Sequence, residues 1–486
     1  MALAAAQRLG LEAKRATLGL NRHPVAAAMG LVVGRMVFPA SELATPQWRH
    51  QRSGLGERLG YDFGSLDSNR LYRASDRLLA HREALEAHLY GQERDLFSRQ
   101  ETIPRYDLTN PFFEGTASAN AKAQRGHSKE KRSECPGVTL ARVLDTSGFP
   151  KRSEVFAGNV SEPKTLAPMV QRRAAAPGAP GPTGVIDAGL ASEETIAWLR
   201  AQGDRDLAVS RERRQQFDPE QATLIRAEGR LRVQRQVNEA SGEVRRDCHS
   251  AGREAKQRGI GHRFSTRLEA ALRHLAEGRH RPRRVKRYEK GLPRIGRLRQ
   301  RYSRVARYDD IRVEQAEASG NAKSLQGSRS TPPEDTRPGV YCLRTNQAQW
   351  NEATLGHTDP MLTALEAVFR SLKSEFGLRP VYHHKSRRVD GHLFISVLAY
   401  HRVHTLRVQL KAHGIHLSGE SLRTQLAGQE RVTVVLHRDD GQVYHIRKST
   451  RPEPHQQILY NALGLPHLPG RTEKTLVDPR RAVSHM

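Results

Sequence analysis

Cysteine is nearly absent: Cys135, Cys248 and Cys342 are the only three in 486 residues. They lie far apart, which argues against a disulfide framework and offers no Cys-x-x-Cys metal pair; Cys135 and Cys342 read as small buried residues. Long apolar runs are missing too. The longest uncharged apolar stretch, Val25 to Gly34, is about half of what a membrane-spanning helix needs. No basic segment leads into an apolar stretch at the N-terminus, so no secretory signal is expected. A Gly-rich phosphate loop ending in Lys-Ser or Lys-Thr is absent, as is a dinucleotide fingerprint after a strand, which disfavours nucleotide hydrolysis. Acidic residues are scarce relative to basic ones, with 52 Asp+Glu against 80 Lys+Arg and a formal net charge of +28. A polyanionic partner is the simplest reason for so large an excess. The apolar share of 37% is too high for wholesale disorder. The length suits two to four domains of ~100–200 residues each. These features predict a soluble, cytoplasmic, strongly basic protein.

The positive charge is concentrated. Between Arg226 and Arg312, 26 Lys+Arg stand against 10 Asp+Glu, a local net of +16 in 87 residues. Within this block Arg281-Pro-Arg-Arg-Val-Lys-Arg287 is followed by Arg294, Arg297, Arg299, Arg301, Arg304 and Arg307, with Tyr288, Tyr302 and Tyr308 interleaved. Arginines track phosphates and tyrosines add hydrogen bonds or stacking faces. The patch reads either as a DNA-tracking surface or as a solvated helix face or basic linker.

Periodicity predicts short helices over residues 1–60 and a helix over 68–99, where Leu71, Leu78, Leu79, Leu85, Leu89 and Leu96 recur at helical spacings. Strands are expected at Thr102 to Leu108, Val138 to Leu144, Arg152 to Phe156, Gly184 to Asp187 and Asp206 to Ser210, the second and third joined as a hairpin through Asp145-Thr-Ser-Gly-Phe-Pro150. Helices are expected from Pro163 and after Ser192. This order implies a mixed sheet covered by helices. The basic region is expected to be helical from Glu243 to Glu277 and strand-like from Tyr302 to Glu317. A strand at Val340 to Arg344, helices at Met361 to Glu375 and Val389 to Ala412, and a hairpin around Asp439-Asp-Gly441 complete the pattern. The simplest account is one catalytic sheet interrupted by a basic insertion between Ser210 and Val340.

Two aspartates stand at strand ends: Asp107 in Tyr106-Asp-Leu-Thr-Asn110, and Asp187 in Val185-Ile-Asp-Ala-Gly189. Ligands in open α/β sheets gather at the carboxyl ends of strands. Glu366 lies in a helical pattern with Arg370 and Lys373 on the same face. Three carboxylates from separate elements suit a pair of hard divalent cations, Mg²⁺ above all, which can serve the attacking and leaving oxygens of a phosphodiester. The plainer alternatives are turn chemistry at Asp187-Ala-Gly189 and an ordinary i,i+4 pair at Glu366 and Arg370. The histidines His383, His384, His401 and His404 lack a zinc-protease pattern and read as basic, phosphate-facing or exposed side chains.

Several longer segments carry a resemblance. Tyr106-Asp-Leu-Thr-Asn110 with Phe113-Glu-Gly115, Gly126-His-Ser-Lys-Glu-Lys-Arg132, Val155-Phe-Ala-Gly-Asn159, Val185-Ile-Asp-Ala-Gly189, Phe369 to His383 and Gly391 to Tyr400 resemble bacterial insertion-sequence transposases of the DDE type, in order and spacing, from roughly Gly54 to Lys474. The resemblance implies an α/β fold: a ribonuclease-H-like mixed sheet with flanking helices, a basic insertion domain between the second Asp and the Glu, and a helical N-terminal region. Asp107, Asp187 and Glu366 would be the catalytic and metal-binding triad, with two Mg²⁺ ions for which Mn²⁺ can substitute. On the glutamate helix the family signature is Tyr-Arg-Glu-Lys; Glu366 and Lys373 match it, while Asp359 and Leu362 occupy the Tyr and Arg positions. Lys373 would contact phosphate, Arg370 would orient Glu366 or contact DNA, and Arg283, Arg284, Lys286 and Arg287 would bind DNA.

The expected organisation is a helical DNA-end-binding region at 1–100, short for its family; the first part of the catalytic core at 101–211; the basic insertion at 212–338; the second part of the core at 339–430; and a hairpin and tail at 431–486. The expected activity is Mg²⁺-dependent cleavage of element ends followed by strand transfer. The expected partners are double-stranded terminal repeats, target DNA and a second copy of the chain, with no membrane, in a cytoplasmic, nucleoid-associated setting. The alternative is a relic that binds DNA without catalysis, with Pro111 interrupting the first motif.

Overall fold

The computed structural model describes residues 1–10, 14, 18–19, 22–39, 54–63, 68–97, 105–126, 132, 134–145, 147–170, 183–186, 191–210, 218–226, 231–238, 243–278, 287–316, 321–329, 338–347, 375–468 and 470–477. The chain falls into two units, the first comprising Met1–Ile186, Gln202–Asp204 and Asp359–Met486, the second Asp187–Ala201 and Arg205–Thr358.

The first unit opens with helices α1 (Ala2–Arg8), α2 (Arg22–Val37), α3 (Leu55–Leu59), α4 (Ser68–Ala80) and α5 (Arg82–Leu96). The leucine pattern over 68–99 thus yields two helices where one is expected. At His81 the backbone turns to φ −105°, ψ 20°, which breaks the ladder while keeping Leu71, Leu78, Leu85 and Leu89 buried. Strands β1 (Arg105–Thr109), β2 (Val138–Leu144) and β3 (Pro150–Ala157), helix α6 (Glu162–Val170) and strand β4 (Thr183–Ile186) follow. The hairpin between β2 and β3 forms as expected. Asp145 Oδ1 accepts backbone N–H bonds from Ser147 and Phe149, each at 2.9 Å, and Gly148 takes φ 91°, a conformation that costs glycine little. β1 pairs antiparallel with β2 and parallel with β4, and β2 pairs antiparallel with β3.

The second unit contains α7 (Glu193–Ala201), β5 (Arg205–Val209), β6 (Thr223–Arg226), β7 (Leu231–Asn238), β8 (Glu243–Ser250), α8 (Ala251–Gly278), α9 (Tyr288–Arg301), α10 (Ser303–Ala306), β9 (Asp309–Gln315), β10 (Ala322–Arg329) and β11 (Val340–Thr345). Here the structure departs from the sequence pattern twice. Residues Glu243–Ser250, expected as the start of a helix, form a strand in which Val244, Arg246, Cys248 and Ser250 are all buried. Residues Tyr302 to Glu317, expected as a strand, begin as the short helix α10 before β9. β8 pairs antiparallel with both β7 and β11, β11 pairs antiparallel with β5, and β6 pairs with β7. Strands from the interior of the basic segment therefore share one sheet with those on either side of it. β9 and β10 form a separate antiparallel ribbon.

Back in the first unit come α11 (Ser386–Ala412), α12 (Gly419–Leu426), β12 (Arg431–His437), β13 (Val443–Ser449), α13 (Pro454–Ala462) and β14 (Glu473–Val477). α11 is buried on every side from Gly391 to Leu406, as a helix apolar all round must be. Its Val389, Leu393, Val397, Tyr400 and Leu410 share one core with Leu31 of α2, Leu71 of α4, Leu85 of α5 and Leu140 of β2. The expected hairpin is β12–β13, extended by β14 in the stretch expected as a tail. The architecture is mixed α/β, with helices against sheets of largely antiparallel pairing. Among the described residues no helix is long and apolar enough to cross a membrane.

Candidate active-site row and nucleic-acid interface

Asp107 occupies the middle of β1, and its cross-strand partner on β2 is Arg142, whose own partner on β3 is Ser153. Directly opposed residues share one face of a sheet, so positions 107, 142 and 153 form a row across three strands. Arg142 is fully buried and donates from Nη2 to Thr109 Oγ1 at 2.9 Å. Ser153 donates to the carboxylate of Glu86 on α5. Glu86 is almost wholly buried, and burial pushes its carboxyl up to about 8 against the pull of the Ser153 hydrogen bond and of Arg82. The row therefore joins a buried arginine to a serine that serves an acid which keeps its proton near neutral pH. Neither partner stands out in the sequence. Arg142 is one basic residue in an apolar strand, and Glu86 hides beside the leucine stripe of α5, seven residues before the equally buried Glu93.

At the carboxyl end of β1 the chain returns on itself. Val138 N–H donates to Pro111 O at 3.0 Å and Phe113 N–H to Pro136 O at 2.9 Å, so Pro111 takes part in pairing through its carbonyl, where its missing N–H does no harm. Val381 N–H donates to Phe112 O at 2.9 Å, and Gly158 N–H to Lys122 O at 3.0 Å. Gly126 and Gly158 lie so close that a Cβ on the first would sit 2.3 Å from the carbonyl oxygen of the second. Arg132 closes one side, with its guanidinium 4.7 Å from the Phe112 ring centroid and Nη2 donating to Cys135 Sγ at 3.2 Å. Cys135 is consequently half-buried and not a core residue, whereas Cys342 is buried as expected.

The remaining predicted site residues divide by position. Asp107 is described only for its backbone. Asp187, Glu366, Arg370, Lys373, Arg283, Arg284 and Lys286 lie outside the described residues. Arg287 is exposed at the start of α9, with a backbone bridge to Asn321. Among the described residues no group of three or more His, Cys, Asp or Glu is placed to hold a metal ion. Two histidines expected on the surface are core residues. His401 Nδ1 meets Glu93 Oε1 at 2.7 Å with both side chains fully buried, and His404 hydrogen-bonds the carbonyl of Ser147 at 2.7 Å while its ring stacks on Tyr400. Both point inward because α11 is enclosed on all sides.

The basic surface belongs to the second unit. On α8, Lys256, Arg258, Arg263, Arg267 and Arg273 are exposed; on α9 and α10 so are Lys290, Arg294, Arg297, Arg299, Arg301 and Arg304. Helices α8 and α10 meet through a small core of Leu268, Val305 and Ala306, flanked by Phe264, Leu272, Tyr302 and Leu298 of α9. In the same unit Arg344 spans Glu193 and Glu243, at 2.5 Å and 2.6 Å, while Arg200 pairs with Asp206 at 2.9 Å. On α8, Arg258 is itself paired with Glu254, at 2.7 Å, and Glu254 also meets His249 of β8, at 2.9 Å.

No protein-family model and no curated protein matches the sequence. Among solved structures the chain is similar to one described as the piggyBac transposase synaptic complex with hairpin DNA, with a TM-score of 0.36 and 9% identity over 84% of this chain and 71% of that one.

Proposed function

We propose that this protein is a DDE-type DNA transposase of an insertion sequence, with a ribonuclease-H-like catalytic core, that cleaves element ends and joins them to target DNA. The observation that carries the reading is the meeting of distant motifs at the carboxyl end of β1. Tyr106 to Gly115, Gly126, Val155 to Asn159 and Val381 are scattered over some 270 residues of sequence, yet backbone hydrogen bonds and glycine contacts tie them together there. Loop ends beyond the carboxyl ends of strands are where α/β enzymes gather ligands. The antiparallel run β3-β2-β1 with β4 parallel beside β1 suits the core that the motifs imply.

In this reading Asp107, Asp187 and Glu366 hold two Mg²⁺ ions, a donor set of hard carboxylate oxygens that suits this metal. Such a pair, when bound, supplies Lewis acidity to the attacking and leaving oxygens of a phosphodiester. Lys373 and Arg370 hold phosphate and orient the strand, and the basic second unit, Arg283, Arg284, Lys286 and Arg287 included, retains the duplex. Water cuts the ends, and the exposed 3′ hydroxyls attack target DNA in line, which calls for two copies of the chain on paired ends. The test is nicking of a labelled duplex that carries the terminal sequence flanking the gene, with and without Mg²⁺. The wild type should nick at the end only with metal, and Asp187→Asn and Glu366→Gln should bind the duplex but leave it whole. Nicking retained by either variant sinks the assignment; binding without nicking by the wild type identifies a relic.

A further inference from the structure

Helix α9 sorts its residues by face. Ile295 is buried and Leu298 packs on the small core shared with α8. Lys290, Arg294, Arg297 and Arg301, spaced four, three and four apart, are all exposed. That spacing puts them on one flank of the helix, in a line of ~16 Å at about 1.5 Å per residue. The only acid of α9, Glu289, lies in the first turn off this line. Among the described residues none of the four is engaged in an ion pair: Arg297 Nε donates to Pro293 O at 3.3 Å, and Arg301 lies 5.8 Å from the Tyr302 ring centroid.

We infer that this flank of α9 is a docking surface for the sugar-phosphate backbone of duplex DNA, a claim that rests on the transposase reading for the choice of DNA. Four cations over ~16 Å match the phosphates of about five base pairs at ~3.4 Å per strand. The alternatives fit less well. An anionic membrane needs a broad apolar helix face free to insert, and on α9 Ile295 is buried and Leu298 packs on the α8 core, which leaves Leu292 alone exposed. A single strand needs open aromatic faces on which to stack bases. Tyr288, Tyr302 and Tyr308 are each half-buried, and Arg301 and Arg307 lie over the last two at 5.8 Å and 4.7 Å. The surface thus offers charge in a line and no platform for bases, which suits a contact that positions DNA without reading its sequence.

The test is the salt dependence of binding to a random-sequence duplex, followed by fluorescence anisotropy of the full chain. Each phosphate that the helix neutralises should contribute about 0.9 to the slope of log affinity against log salt. Arg294→Gln/Arg301→Gln should therefore bind with a slope shallower by about 1.8. Lys411→Gln, exposed in the last turn of α11 in the first unit, should match the wild type, and circular dichroism should show all three proteins equally folded. An unchanged slope in the double variant, or an equally shallow slope in Lys411→Gln, overturns the proposal while leaving the cleavage test of the transposase reading intact. Tighter binding to a single strand or to anionic vesicles than to the duplex also overturns it. A wild-type chain that binds no duplex at all counts against the transposase reading itself.

Discussion

At the scale of single residues, Glu86 is the clearest case of burial changing chemistry. Its carboxyl sits inside the first unit with Ser153 as hydrogen-bond donor, and burial raises it from the ordinary 4.5 to about 8. An unfolded chain gives up that proton at lower pH than the folded one. The contribution to stability is therefore full below about 4.5 and is lost as pH rises through about 8. A shift of this size corresponds to a few kcal/mol, on the order of 1.4 per pH unit. Urea midpoints taken at about pH 6 and about pH 9 should fall steeply for the wild type and much less for Glu86→Gln, which keeps a neutral side chain of the same shape. The sequence did not disclose this residue, because periodicity marks where a helix is buried and not which polar group accompanies the leucines. His401 and His404 escaped for a related reason: a histidine on an enclosed helix looks the same in sequence as one on the surface.

Elements were legible where their pattern was local and failed where a neighbour decided. The β2–β3 hairpin is written in Asp145 and Gly148, and α11 in an apolar stretch with no polar side. By contrast β8 holds Arg245, Arg246, Asp247 and His249, a composition that reads as a surface helix. It is a strand because β7 and β11 flank it, and because Arg246 and Asp247 are buried. Of the candidate row, a strand is expected over Thr102 to Leu108 with Asp107 at its close, whereas β1 runs from Arg105 to Thr109 with Asp107 in its middle, and the row partners on β2 and α5 depend on pairing that no local pattern records. Glycine at the end of β3 can be tested at this scale. A Cβ at Gly158 would lie 2.1 Å from Gly137 O and 2.4 Å from Gln124 O, both backbone atoms that cannot rotate away. Gly158→Ala should cost about 1–3 kcal/mol as overpacking does, read as a lowered urea midpoint.

Over the whole chain, positive charge is concentrated in one segment. The segment Arg226 to Arg312 carries +16 of the net +28, and its helices α8 and α10 share a core of only a few side chains. The first unit, in contrast, is organised around α11. Helices α2, α4 and α5 and strand β2, all encoded before residue 145, close their apolar faces on a helix that starts at Ser386. Contacts so distant in sequence form slowly, since long loops must close first. A chain ending at Lys385 should therefore leave α2 and α4 open to proteases even though their own sequence is complete, and limited proteolysis would show it. During synthesis the same geometry means that the ribosome releases the N-terminal segments long before their partner exists. At ~5–20 residues per second, the 241 residues between the end of β2 and the start of α11 take roughly 12–50 seconds to appear. For that interval the nascent protein carries half of a hydrophobic core with nothing to cover it, which makes the first unit a natural client of chaperones.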